Sequence, residues 1–122
     1  MKRIIRNRNT GEVILAHAHW CASYWCHLRG LMFRRRLEPD EGLLFVHRRE
    51  SIVNTSIHML FMLMPIGVVW LDEQGVVVDA QYAKPWRLAY APKHPAQYYL
   101  EAPPGILERV QVGDHLRFDE PS

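Results

Sequence analysis

Short runs of alternating apolar and polar residues, each closed by a glycine, a proline or an acidic turn, recur along the chain and predict many short strands. "KRIIRN" (2–7) forms a first strand, and "RNTG" turns the chain at Gly11. "EVILAHAHW" (12–20) forms the second, with Val13, Leu15, His17 and His19 on one face and Ile14, Ala16, Ala18 and Trp20 on the other. "LLFVH" (43–47), "SIHMLFM" (56–62) and "IGVVWL" (66–71) follow as the third, fourth and fifth. "DEQG" (72–75) supplies a tight turn with glycine last, and "VVVDAQYA" (76–83) returns as the sixth. "QYYLEA" (97–102) and "DHLRF" (114–118) complete the set, with "PPGILERV" as a single helical turn between them.

One segment breaks the two-residue period. After Ser23, a fitting N-cap, Tyr24, Leu28 and Leu31 fall at i, i+4 and i+7, the stripe of a short helix. Gly30 stands where that helix must end, because glycine enters the left-handed region cheaply. The pattern therefore describes a mainly β fold, a sandwich or distorted barrel with one short helix and a helical turn. It spans residues 1–122 as one domain, since 122 residues enclose one core.

Composition adds exclusions. A net charge of +2, with acids interleaved among the basic runs 34–36 and 47–49, argues against nucleic acid as partner. The longest apolar run, 57–71, has 15 residues and a central Pro65. A spanning helix needs about 20, so no membrane insertion is expected. The basic start turns polar after two isoleucines and lacks the apolar core of a secretory leader. With two cysteines, a cytoplasmic protein carrying free thiols is the expectation.

The densest chemistry lies in "AHAHWCASYWCH" (16–27), which holds three of the seven histidines and both cysteines. His17 and His19 share a strand face about 6–7 Å apart, and Cys21 extends the row toward a metal site. Zinc needs three or four converging ligands, and Cys26 and His27 point about 100° apart on a helix. The competing reading packs the cysteines as small hydrophobes and leaves the histidines as lining. No nucleophile elbow, phosphate-cradling glycine loop or His-Glu-x-x-His motif occurs, so neither catalysis nor a cofactor is expected.

The proline-stiffened stretch "KPWRLAYAPKHPA" (84–96) cannot be a continuous strand and reads as an ordered loop presenting Trp86, Arg87 and Tyr90. Arg29, before the helix-ending glycine, either meets an anion or ties the helix to a carboxylate such as Glu41 or Glu101. Asp72 and Asp114 cap their turns. Met59, Met62 and Met64 are expected in the core, although exposed methionines would form an adaptable partner surface.

"RGLMFRRRLEPDEGLLFV" (29–46), "MLMPIGVVWLDEQGVVV", "PAQYYLE" and "VGDHL" together resemble the bacterial and archaeal domain-of-unknown-function family numbered 192. The signature residues include Arg29, Gly30, Met32, Arg34, Gly42, Phe45, Pro65, Asp72, Gly75, Tyr98, Glu101, Gly113 and Asp114, in order over 12–118. The resemblance implies a small, mostly antiparallel β-sandwich of jelly-roll-like topology, with a short helix leading into Arg29-Gly30, and no reaction. Two departures stand out. The family's polar run in the fourth strand is replaced by His58, Leu60, Phe61 and Met62, and its aspartate after the proline is Gly67.

The expectation is a non-catalytic ligand- or partner-binding module that meets an unidentified small molecule or protein through Arg29, His58, Trp86, Arg87 and Tyr90. The alternative is a metal-binding protein using His17, His19 and Cys21.

Overall fold

A computed structural model describes residues 1–121. Seven strands form one curled sheet: β1 (Lys2–Asn7), β2 (Val13–Cys21), β3 (Glu41–Ser51), β4 (Ile66–Leu71), β5 (Val77–Ala83), β6 (Ala96–Ala102) and β7 (Leu116–Asp119). They lie in the order β5-β4-β6-β3-β2-β1-β7. The two edges meet at one corner through a bridge between Val76 and His115, with Val77 N–H donating to the Asp114 carbonyl at 2.8 Å. The fold is thus mainly β and curls like a partial barrel. Neighbouring strands run antiparallel except β2 and β3, which run parallel from His17 beside Glu41 to Cys21 beside Phe45.

A parallel pair needs a long connection. Here residues 22–40 supply it, and they carry the helix α1 (Tyr24–Arg29). Ser23 caps it as expected, its hydroxyl accepting from Cys26 N–H at 3.1 Å. Gly30 ends it at φ +48°, donating its N–H to the Cys26 carbonyl at 2.8 Å. The apolar stripe behaves differently from its spacing. Leu31 is buried, but Tyr24 and Leu28 are exposed, because a helix of 6 residues covers too little of the sheet to bury a full face.

Apolar side chains fill both sides of the sheet. Ile5, Ile14, Leu44, Val69, Leu100 and Leu116 pack on one face with Ile106, from the 3₁₀ turn Pro104–Glu108. Phe45, Val68, Trp70 and Tyr99 pack on the other with Ile57, Met59 and Met62. All six residues of β4 are buried, as a central strand covered on both faces requires. A Cβ at Gly67 would stand 2.7 Å from Ile106 Cγ2, so the 3₁₀ turn occupies the room a side chain at this position would need.

The predicted fourth strand is a correction. Residues 56–62 make only one bridge, Ile57 to Tyr90, and then turn, with Phe61 at φ +61°. Their apolar residues form a plug: Ile57, Met59 and Met62 point inward while His58 and Phe61 face out. A short apolar run carries no periodicity that separates a strand from such a plug. Met59 and Met62 are core, as expected. Among the described residues, no helix is long and apolar enough to cross a membrane.

Candidate functional site

Strand β6 carries Tyr99 and Glu101 on one face, in register with Phe45 and Leu43 of β3 on one side and with Trp70 and Val68 of β4 on the other. The C-terminal end of α1 and the plug 56–62 lie over this face. Between them is a cavity of about 70 Å³, lined by His27, Arg29, Gly30, Phe45, His58, Met62, Tyr99 and Glu101, among others.

Glu101 is the unusual member. It is 7% exposed. Among the described residues, no side chain or backbone N–H donates a hydrogen bond to its carboxyl, and no cation lies within ion-pair distance. Burial pushes its pKa up to about 8, because the charged form loses water and gains no partner in exchange. Burial, and then the nearby Glu101, raise the Tyr99 phenol well above its ordinary range. Gly30 completes this wall. A Cβ there would lie 3.6 Å from Glu101 Oε1 and 3.4 Å from Phe45 Cζ, on a backbone that L side chains rarely adopt.

Two histidines form the flank. His27 Nε2 donates to the Cys21 carbonyl at 2.9 Å, which leaves Nδ1 as the open acceptor. Its ring lies 4.6 Å from that of His47, which also stacks on Tyr99 at 5.8 Å. The buried Nε2 of His47 has no hydrogen-bond partner among the described residues, and burial, then His27, lower its pKa. Phe45 stacks on Tyr99 with centroids 4.4 Å apart.

Of the residues expected at a site, Arg29 and His58 come together at this cavity. Arg29 pairs with neither Glu41 nor Glu101; Glu41 is held instead by Arg34 and His19, each at 3.3 Å. Burial acts to raise the Glu41 carboxyl, but the Glu38 amide, Arg34 and His19 outweigh it and keep it below the usual carboxylate range.

Trp86, Arg87 and Tyr90 do not line the cavity. They brace its outer wall. Ile57 and Tyr90 exchange backbone hydrogen bonds at 2.9 Å, Met59 N–H donates to Arg87 O at 2.8 Å, and Trp86 N–H to Met59 O at 2.7 Å. The Tyr90 hydroxyl accepts from Lys84 N–H at 2.9 Å, and Arg87 lies 5.1 Å over its ring.

Trp86 also ends an aromatic row that residue spacing did not indicate. Phe33, Phe61 and Trp86 stand 5.4 and 5.2 Å apart, and all three side chains are largely exposed. Among the described residues they are also the non-glycine positions with positive φ, at +66°, +61° and +69°. Each such conformation costs on the order of 1–3 kcal/mol. The row adjoins the cavity through Met32 and Met62, the neighbours of Phe33 and Phe61 in the chain.

The metal alternative loses its third ligand. Cys21 and Cys26 form a disulfide, with Cα atoms 5.6 Å apart, and Cys21 is fully buried. The expectation of two free thiols is corrected accordingly, and with it the motive for a reducing compartment. Helix α1 folds back over the end of β2, which brings the two sulfurs together across a separation of 5 residues. His17 and His19 stay on one face but turn to carboxylates, His17 to Asp40 at 3.8 Å and His19 to Glu41 at 3.3 Å. No group of three or more metal-ligating side chains among the described residues could hold an ion.

Sequence reasoning named Glu101 as a family-signature residue and as a possible tie for Arg29, but not as a site residue. Its alternation with Tyr99 in "YYLEA" placed it on an inward face, and a glutamate inside an apolar strand is itself a signal, since strands disfavour that residue.

The DUF192 family, described as "Uncharacterized ACR", matches residues 5–118. The chain belongs to this family. Among DUF192-like relatives, "UPF0127 protein PF1050" of Pyrococcus furiosus is 39% identical over 115 residues, covering 93% of this chain and 96% of that protein. A "UPF0127 protein" of Thermococcus gammatolerans is 37% identical, covering 95% of this chain and 75% of its own length. The DUF192 fold recurs in a crystal structure of a Sinorhizobium meliloti 1021 protein named "putative transcription regulator", with a TM-score of 0.85 at 23% identity, covering 97% and 94% of the two chains. A "protein of unknown function" from Novosphingobium aromaticivorans superposes with a TM-score of 0.79 at 18% identity, covering 96% of this chain and 84% of the other. At these identities the two structures bear on fold alone.

Proposed function

We propose that this DUF192 protein is a non-catalytic small-molecule-binding module, with its ligand site in the cavity between Arg29, His58 and Glu101. One observation carries the reading: a buried carboxyl with no hydrogen-bond or ion-pair partner faces a cavity of about 70 Å³. Such a group costs stability unless something meets it, and strongly perturbed acids in clefts concentrate at functional sites. Supporting this, Arg29 has no carboxylate partner among the described residues, and Gly30 keeps the wall beside Glu101 open.

The non-catalytic part rests on the lining. Glu101 is the cavity's sole carboxyl among the described residues, with no hydroxyl or thiol paired to a base. In this reading Trp86, Arg87 and Tyr90 act from outside, holding the plug that carries His58, while the aromatic row offers a rim for whatever part of a ligand projects.

The test is a thermal-shift panel of amino acids, amines, carboxylates, phosphate and simple sugars against the wild type, Glu101→Gln and Arg29→Ala. At least one class should stabilise the wild type and lose most of its effect in both variants, while Val112→Ala, at an exposed position away from the cavity, responds nearly as the wild type does. No response in the wild type, or equal responses in Glu101→Gln, rejects the site.

A further inference from the structure

The volume restricts what can enter. One water needs only about 10–15 Å³ of such space, so a cavity of about 70 Å³ has room for several heavy atoms and suits a compact ligand. The polar groups restrict it further. At the inner wall stands a carboxyl without partners, with apolar Phe45, Ile57 and Met62 around it. Arg29, an exposed residue with no carboxylate partner among the described residues, lines the same space. The remaining titratable groups that face the space are His27, His58 and Tyr99.

We propose that the cavity takes a compact zwitterion amine-first, a free α-amino acid with a small side chain, its ammonium against Glu101 and its carboxylate on Arg29. This rests on the binding reading above and names the ligand class for the same site. An ammonium brings three donors to a carboxyl that has none, and a carboxylate matches the planar fork of an arginine. A simple amine would leave Arg29 unmatched and add a second positive charge near it. A simple carboxylate entering first would press one acid on another. A zwitterion satisfies both walls and adds no net charge to the site.

The proton balance supplies a signature. Glu101 enters the complex as a carboxylate, so its proton leaves to solvent, while the ligand's ammonium keeps its own three. Because the free carboxyl titrates at about 8, binding at pH 7 releases close to one proton, and at pH 9 close to none.

Isothermal titration of the full chain with glycine and alanine, in buffers of differing ionisation enthalpy, tests this. Methylamine and acetate serve as half-ligands, and phosphate as an unrelated anion. Glycine or alanine should bind at least tenfold more tightly than either half-ligand, with proton release near one at pH 7. Glu101→Gln and Arg29→Ala should each weaken binding at least tenfold, and Glu101→Gln should abolish the release. Should Arg29→Ala fold poorly, Arg29→Lys and the wild-type proton count decide. Glycine and alanine binding without proton release, or equally well to folded Glu101→Gln, overturns the proposal. If phosphate or a half-ligand binds in a Glu101-dependent way while glycine and alanine do not, the zwitterion fails and the binding site stands. If none of the five binds and the thermal-shift panel is silent as well, both fail.

Discussion

Asp79 and Glu101 are both buried acids, 4% and 7% exposed, yet the protein treats them in opposite ways. Asp79 Oδ1 accepts from Ala80 N–H at 2.8 Å, and its Oδ2 accepts from Gln81 Nε2 at 2.8 Å and from Lys93 N–H at 3.1 Å. Gln81 Nε2 reaches on to the Ala91 carbonyl at 2.9 Å, so the network ties β5 to the 84–95 loop. That carboxylate is a knot. Glu101 has no such donors, and its burial is a cost carried by the sheet around it. The fold satisfies one buried acid fully and leaves the other without a donor among the described residues, and the proposed ligand site rests on that contrast.

The largest effect expected from breaking this contrast comes from Asp79→Ala. Three donors lose their acceptor at a buried acid, and the loss should be about 3–5 kcal/mol in denaturant unfolding. A cost below about 1 kcal/mol would show that Asp79 is no knot.

Glu101→Gln should act in the opposite direction, and its size depends on pH. Burial holds the folded carboxyl at about 8, above the ordinary glutamate value of 4.5. Below the unfolded pKa both states hold the proton and the variant gains nothing. As pH rises from about 4.5 to 8 the unfolded chain ionises first, and the wild type loses stability. The variant escapes this loss, with an advantage on the order of 2–4 kcal/mol at pH 8 and near zero at pH 4.5. Melting curves across that window check the slope. A pH-independent difference would mean that Glu101 already has a partner.

The smallest effect belongs to the loop that Asp79 secures. Trp86→Gly relieves a positive φ while losing an edge contact to Phe61, and the two nearly cancel. Unfolding should change by less than about 1 kcal/mol. A loss above about 2 kcal/mol would make Trp86 a structural clamp.

Much of the scaffold was readable before any coordinates, because its signals are local. Ser23 and Gly30 bracket a helix by chemistry that needs no distant partner, and Asp72 caps its turn with its own Oδ1, accepting from Gln74 and Val76 N–H at 2.9 and 3.0 Å. The site was only half readable. Arg29 and His58 carry chemistry that declares itself, whereas Glu101 counts because of what three other segments fail to offer it. The Cys21–Cys26 pairing depends on how α1 folds back, which spacing alone does not state. Residues 56–62 were misread as a strand for a related reason: their partners lie on the 84–90 loop, too far along the chain for a local pattern to register.

The parallel registry of β2 and β3 has a consequence for where such a cavity can exist at all. Two neighbours heading the same way cannot be joined by a tight hairpin, so the chain must travel back along the sheet before it re-enters. That return journey carries Arg29 and Gly30 over the face of β6 that bears Glu101. Had β3 been laid down in reverse, a two-residue turn would have sufficed, and Glu101 would keep only the cover that residues 56–62 provide.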